Sequence, residues 1–78
     1  MAKLNKRAVQ WFIENRYPDS KIIDIEMIDE RETMAFVLAY KNVSVVERFI
    51  VDINSDGQMD LWSHEAGSFT EIYRRADI

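Results

Sequence analysis

The chain contains no cysteine, only two glycines and one proline among its 78 residues. Without cysteine it has neither a disulfide framework nor a thiolate metal site. Two glycines are too few for a glycine-rich phosphate-binding loop. A domain of this size without covalent or metal cross-links takes its stability from packing or from a second subunit.

Histidine and long apolar runs are equally scarce. His64 is the only histidine, and Ser63 beside it would point to the opposite face of a strand, so the two form no catalytic dyad. We therefore predict that the protein is not an enzyme. No apolar run approaches the roughly 20 residues of a membrane span, and no apolar stretch follows the basic N-terminal residues. We expect a cytoplasmic protein without membrane contact.

The charge balance argues against a further class of function. Acidic residues outnumber basic ones by 14 to 10, which gives a formal net charge of −4. Nucleic-acid-binding domains normally carry a basic surface, so DNA and RNA are not the expected partners. Apolar residues make up 47% of the chain, as in folded globular domains. Residues 1–78 should therefore form one small acidic domain, and calcium is the only cofactor that the sequence suggests.

The first periodic segment predicts a helix. Residues 4–16 carry apolar side chains at the spacing of one helical face, with Trp11 and Phe12 near its centre. Asn5 is suited to the N-cap position. Pro18 ends the helix, because the residue before a proline is disfavoured in the α region.

Four segments after the helix show strand character, namely residues 21–29, 33–40, 43–53 and 59–64. The expected architecture is α+β, with the N-terminal helix packed on a four-stranded antiparallel sheet in the order α-β-β-β-β. The end of the chain is ambiguous. Ser68 and Glu71 fit a capping box and predict a short C-terminal helix, whereas a fifth strand over residues 69–73 is the alternative.

Alternation along the strands predicts which side chains face the helix. The residues expected to pack against Ala8, Trp11 and Phe12 are Ile23, Ile25, Met27, Met34, Phe36, Leu38, Phe49, Val51, Ile53, Met59 and Leu61. The opposite face would then carry Ile22, Ile28, Val37, Ile50 and Trp62. That apolar area is large for a small monomer, so either the C-terminal segment or another chain should cover it.

The segment D-I-N-S-D-G-Q-M-D between the third and fourth strands has two interpretations. As a calcium loop, it supplies oxygens from Asp52, Asn54, Asp56 and Asp60 at positions one, three, five and nine. The twelfth position is Ser63 rather than the bidentate glutamate, and the β-branched flanks favour strands over helices. We prefer a β-hairpin and keep calcium binding as the alternative.

The hairpin interpretation also predicts a register. A three-residue loop ending at Gly57 pairs Ile53 with Met59 and puts the glycine at the left-handed position of a type I turn with a G1 bulge. The same register places Asp52 opposite Asp60. Like charges facing each other across strands destabilise the pair, so a basic side chain, a partner or a cation should offset them.

In this register Ile50 lies opposite Trp62, and Arg48 lies opposite His64, on the face away from the helix. A tryptophan with an arginine at its edge has the composition of a binding hot spot. We predict that these four residues form a partner-binding site, unless the C-terminal segment covers Trp62. The protein would be an acidic protein-binding module, such as a phage-type inhibitor steered to a basic partner surface. The alternative is a structural homodimer formed through this face.

Three short motifs carry a family resemblance. They are Tyr17-Pro18-Asp19 after the helix, the Ile-Asp-Ile-Glu strand of residues 23–26, and Phe49-Ile50-Val51-Asp52 running into residues 56–59. With the order of elements, over residues 5–63, the chain resembles PepSY-like domains and the related β-lactamase-inhibitor-like domains. The resemblance implies the same α+β fold and a role in binding or inhibiting other proteins. Members are commonly secreted or membrane-attached, whereas this sequence shows no evident export signal.

Overall fold

The computed structural model describes residues 2–65 and 67–75. Its elements are α1 (Lys6–Arg16), β1 (Lys21–Met27), β2 (Met34–Tyr40), β3 (Val46–Ile53), β4 (Met59–Glu65) and β5 (Ser68–Arg75). The strands form one antiparallel sheet in the order β1-β2-β3-β4-β5, so every strand pairs with its neighbours in sequence. The predicted α+β class, with an N-terminal helix and an antiparallel sheet, is confirmed.

The C-terminal segment forms a fifth strand, so the predicted four-stranded sheet and short terminal helix are wrong. β5 pairs along β4 from Ser68 opposite Glu65 to Arg75 opposite Met59. Strand pairing satisfies the backbone groups at the free edge of β4, which a helix would have left without ladder partners. The alternative interpretation of residues 69–73 as a strand was the correct one.

α1 begins and ends where the sequence predicts. The Asn5 side chain accepts a hydrogen bond from the backbone N–H of Ala8 at 2.8 Å, which satisfies one of the free donors of the first turn. The helix ends at Arg16, two residues before Pro18. At 11 residues it is too short to cross a bilayer, and the rest of the described chain contains no other helix.

Aromatic contacts hold α1 on one side of the sheet. Its buried residues are Val9, Phe12 and Ile13. The ring of Phe12 packs against Tyr73 of β5 with the centroids 5.3 Å apart, and Tyr17 packs against Phe49 of β3 at 5.8 Å. The buried core comprises Leu4, Val9, Phe12, Ile13, Ala35, Val37, Ala39, Phe49, Val51, Ile53, Met59 and Leu61.

In β2 the inward and outward residues are the reverse of the prediction. Ala35, Val37 and Ala39 are buried beneath α1, whereas Met34 is 37% and Phe36 42% exposed. Every residue of β2 is apolar or aromatic, so alternation alone does not distinguish its two faces. The helix packs on the side of β2 that carries Ala35, Val37 and Ala39, and larger side chains from β3 and β4 fill the core there.

A β-bulge changes which residues of β1 face the core. The pairing with β2 shifts between Ile22 and Asp24. Ile22 consequently packs against the core, and Ile23 is 47% exposed, the opposite of the prediction. Beyond the bulge, Ile25 and Met27 face the core as predicted. A bulge of this kind inserts one residue and so reverses the alternation on one side of it.

The hairpin of β3 and β4 has the predicted register. Ile53 pairs with Met59, and Gly57 has the left-handed backbone angle φ of +83°. The N–H of Gly57 donates to the carbonyl oxygen of Asn54 at 3.0 Å and closes the turn. β3 begins at Val46, three residues later than expected.

Candidate functional site

No described element covers the side of the sheet that faces away from α1; we call this side the outer face. β5 joins the sheet as an edge strand beside β4, so the backbone of residues 68–75 does not fold over the outer face. The central row across the strands consists of Glu26, Phe36, Ile50, Trp62 and Glu71. Its middle is therefore apolar and its two ends are acidic.

Around this row lies a group of apolar side chains, which we call the apolar cluster: Met34, Phe36, Ile50, Trp62 and Phe69. The rings of Phe36 and Phe69 lie 6.1 Å apart between centroids. Met34, Ile50, Trp62 and Phe69 line a shallow depression together with Asp52. Exposed aromatic and aliphatic side chains that adjoin one another are characteristic of protein interaction surfaces.

Two of the predicted site residues lie beside the apolar cluster. His64 contacts the ring of Phe69 edge-on, at 5.0 Å between centroids. Arg48 lies opposite Leu38 and is exposed. Its guanidinium forms no ion pair with any described residue. An arginine in this position has its donors free for a carboxylate of another molecule.

The structure brings together the four residues predicted as the partner-binding site. Ile50 lies directly opposite Trp62, and Arg48 and His64 line one depression on the same face. Partner binding itself stays a prediction.

Sequence reasoning missed the three other members of the apolar cluster, Met34, Phe36 and Phe69. The first two were assigned to the core because β2 is apolar on both sides, and Phe69 was assigned to a helix. The alternative strand over residues 69–73 was the one sequence signal that would have extended the sheet and brought Phe69 beside His64.

Asp52 and Asp60 face each other across β3 and β4, and the predicted compensating basic residue comes from β5. Arg74 donates from Nε to Asp60 at 2.6 Å and from Nη2 to Glu71 at 3.0 Å. The salt bridge with Asp60 neutralises one member of the acidic pair. Of the three predicted ways to offset the repulsion (a basic side chain, a partner or a cation), the structure shows a basic side chain from the neighbouring strand β5.

Asp52 is the member of the pair without a basic partner among the described residues. Burial raises the pKa of its carboxyl above the ordinary value. The indole N–H of Trp62 lies near enough to lower that pKa in part, although the two groups fall short of hydrogen-bond geometry and the buried Nε1 has no hydrogen-bond partner in the described chain. The charges of Asp60 and Glu71 add to the rise.

We expect Asp52→Asn to increase the free energy of unfolding at neutral pH by a few tenths to about 1 kcal/mol. The raised folded pKa means that ionised Asp52 destabilises the fold above that pKa, and the destabilisation is lost progressively as the pH falls through the folded pKa towards the unfolded value of 3.8. The gain should therefore shrink in acid. Urea denaturation at neutral pH and in steps to about pH 4 measures it.

The matched control is Asp60→Asn, because it removes a carboxylate from the same row but also the salt bridge to Arg74. We expect it to give no comparable gain. If wild-type protein is more stable than Asp52→Asn at neutral pH, the assignment of a raised pKa to Asp52 is wrong.

Two of the four predicted calcium ligands, Asn54 and Asp60, use their side-chain oxygens for contacts within the protein. Asn54 Oδ1 accepts hydrogen bonds from the backbone N–H groups of Asp56 and Gln58, each at 3.0 Å. Asp60 is paired with Arg74. Among the described residues, no group of three or more histidine or acidic side chains is placed to hold a metal ion. Calcium binding through Asp52, Asn54, Asp56 and Asp60 stays a prediction from the sequence.

Comparisons with protein-family models, with curated proteins and with solved structures found no match. The resemblance to PepSY-like domains likewise stays a prediction.

Proposed function

We propose that the protein is a small protein-binding module that docks a partner protein on the outer face. The observation that carries the proposal is the apolar cluster, which lies on a sheet face that no described element covers and in which Phe36 is 42% exposed. Apolar area of this kind is costly to leave in water and is stabilised when another surface covers it. Inhibition is the form of binding that the PepSY-like resemblance implies.

The chemistry of the outer face indicates what the partner presents. Phe36 and Trp62 supply aromatic anchors of the kind that dominate binding energy. Arg48 beside them suits a carboxylate from the partner, since an arginine binds a carboxylate through two parallel hydrogen bonds. Asp24 and Glu26 at the β1 side suit basic residues at the rim of the contact, where opposite charges speed association.

Charge favours a different protein over a second copy on this face. The outer face carries five carboxylates (Asp24, Glu26, Asp52, Asp60 and Glu71) against the three permanent cations Lys21, Arg48 and Arg74. Two such faces stacked on each other would bring acidic surface against acidic surface, which opposes a homodimer formed in this way. A partner with a basic rim meets no such repulsion.

The test uses the purified protein to capture its partner from a lysate of the native host, with two charge-matched variants. Phe36→Asp places a charge in the apolar cluster, whereas Val43→Asp places the same charge on a 92% exposed residue in the turn before β3. We expect Val43→Asp to retain the partner and Phe36→Asp to weaken its binding by about 30-fold, the effect of losing a hot spot worth about 2 kcal/mol.

Once the partner is identified, titration of the purified pair measures that change directly. Arg48→Gln should weaken binding as well, and added salt should slow association, because the rim charges steer the encounter. A partner that binds Phe36→Asp as tightly as wild type would show that the outer face is not the docking surface.

A further inference from the structure

β5 is a free edge of the sheet. It pairs with β4 on one side and with no described strand on the other. An edge strand presents unpaired backbone N–H and C=O groups, which can pair with a strand of another chain.

A bulge in β5 sets the faces of its side chains. The pairing with β4 shifts between Leu61 and Trp62: Leu61 faces Tyr73 and Trp62 faces Glu71, so Ile72 is the extra residue. As a result Ile72 and Tyr73 both pack towards the core. The residues that flank them, Glu71 and Arg74, lie on the outer face opposite Trp62 and Asp60.

This pattern is self-complementary in one antiparallel register. A two-fold axis between Ile72 and Tyr73 places Glu71 opposite the partner's Arg74 and Ile72 opposite the partner's Tyr73. Core-side residues then meet core-side residues, and the outer charges meet opposite charges. An axis through Glu71 fails this condition, because the bulge reverses the alternation on one side and sets outward Phe69 against the partner's inward Tyr73.

We propose that two copies of the chain form a symmetric dimer by antiparallel pairing of their β5 strands in this register. The two five-stranded sheets then continue into one sheet of ten strands. The inference goes beyond the proposed docking function and does not rest on it, since the edge and the outer face are different surfaces.

The charges at the edge are arranged to accept a second copy. Arg74 uses Nε and Nη2 in its contacts with Asp60 and Glu71 of its own chain. Its Nη1 group is left for the carboxylate of the partner's Glu71. Opposite charges directly across an antiparallel pair stabilise it, and the two-fold axis creates this pair twice.

A dimer joined by one strand pair buries a small area, so association should be weak and dependent on concentration. Light scattering coupled to size exclusion, over a wide range of protein concentration, should show the mass rising from 9.2 kDa towards twice that value. Glu71→Arg alone and Arg74→Glu alone should each remain monomeric, because each places like charges across the axis in both pairs.

Mixing the two variants provides the decisive measurement. One variant then presents two arginines and the other two glutamates at positions 71 and 74, so both cross-strand pairs are again of opposite charge. We expect the mixture to regain the dimer mass. The matched control is Phe36→Asp, which alters the outer face and should leave dimerisation unchanged.

A disulfide test reports the register without altering Glu71 or Arg74. The chain has no cysteine, and the proposed register places Thr70 opposite the partner's Arg75. A mixture of Thr70→Cys and Arg75→Cys chains should form a cross-linked dimer on mild oxidation, and neither variant alone should do so. If circular dichroism shows that Arg74→Glu is unfolded, the disulfide test still reports the proposed register, because both cysteine variants keep Glu71 and Arg74.

Two results would overturn the proposal. The first is wild-type protein that stays monomeric at every concentration. The second is a dimer that persists in both charge-reversed variants or that Phe36→Asp abolishes, since either behaviour places the contact elsewhere. Loss of partner capture by Phe36→Asp with an intact dimer separates this proposal from the docking function.

Discussion

Val37→Asp is expected to unfold the protein, whereas Phe36→Asp is expected to leave it folded. Val37 is 2% exposed and lies opposite Phe49 beneath α1. A carboxylate there would be buried without a partner, which costs about 4 kcal/mol or more. A domain of this length has a total stability of roughly 4–12 kcal/mol. Phe36 is 42% exposed on the outer face, where an added charge remains solvated.

The two substitutions introduce the same charge at adjacent positions of β2, whose side chains point to opposite faces. Comparing them therefore tests which face of β2 packs against α1. Circular dichroism with thermal denaturation measures the outcome. The opposite result, a folded Val37→Asp and an unfolded Phe36→Asp, would restore the sequence-based assignment of β2 and place α1 on the other side. A folded Phe36→Asp also makes the capture experiment interpretable, because lost binding would then report the surface rather than the fold.

The second large effect is expected from Phe12→Ala. Phe12 is fully buried and packs on Tyr73 at 5.3 Å between ring centroids. Removing a buried phenylalanine ring costs about 3–5 kcal/mol, because the transfer energy is lost and a cavity remains. That is a large share of the stability of so small a domain, so the variant should unfold at a much lower urea concentration than the wild type.

Phe36→Ala is the control for Phe12→Ala, since the same atoms are removed from a half-exposed position. We expect its cost to be about 1 kcal/mol, measured by urea denaturation of the three proteins under one set of conditions. Equal losses in the two variants would contradict the division of the molecule into a packed side beneath α1 and an open outer face.

The proposed edge pairing and the proposed docking surface are compatible. A two-fold axis perpendicular to the sheet keeps both outer faces on the same side of the dimer, so each copy retains its apolar cluster. A partner with two binding sites would then be held at both, and its apparent affinity would exceed that of a single contact.

The β3–β4 hairpin was predictable almost residue by residue. Its polar and apolar residues alternate clearly, and the position of Gly57 restricts the turn to a few types and loop lengths. The pairing of Ile53 with Met59 therefore follows from residues close in sequence. The same holds for α1, whose period and Asn5 cap are local features. The predicted hairpin register also gave the pairing of Ile50 with Trp62, which are two of the four residues of the predicted partner-binding site.

The remainder of the outer face could not be predicted in the same way. The sequence of β2, Met-Ala-Phe-Val-Leu-Ala-Tyr, is apolar in both alternations, so the positions of Met34 and Phe36 were open. The capping-box pattern at Ser68 describes four residues and carries no information about an unpaired strand edge. Misassigning residues 68–75 removed Phe69 from the site and Arg74 from the acidic pair.

By itself, then, the sequence determined the helix, its cap, the turn at Gly57 and the alternation of the hairpin, because each depends on residues within a few positions of one another. Only the tertiary structure decided which side of β2 lies under α1 and that the C-terminal residues complete the sheet. Those outcomes depend on the space between the helix and the sheet and on the free edge of β4, which exist only after distant parts of the chain have come together.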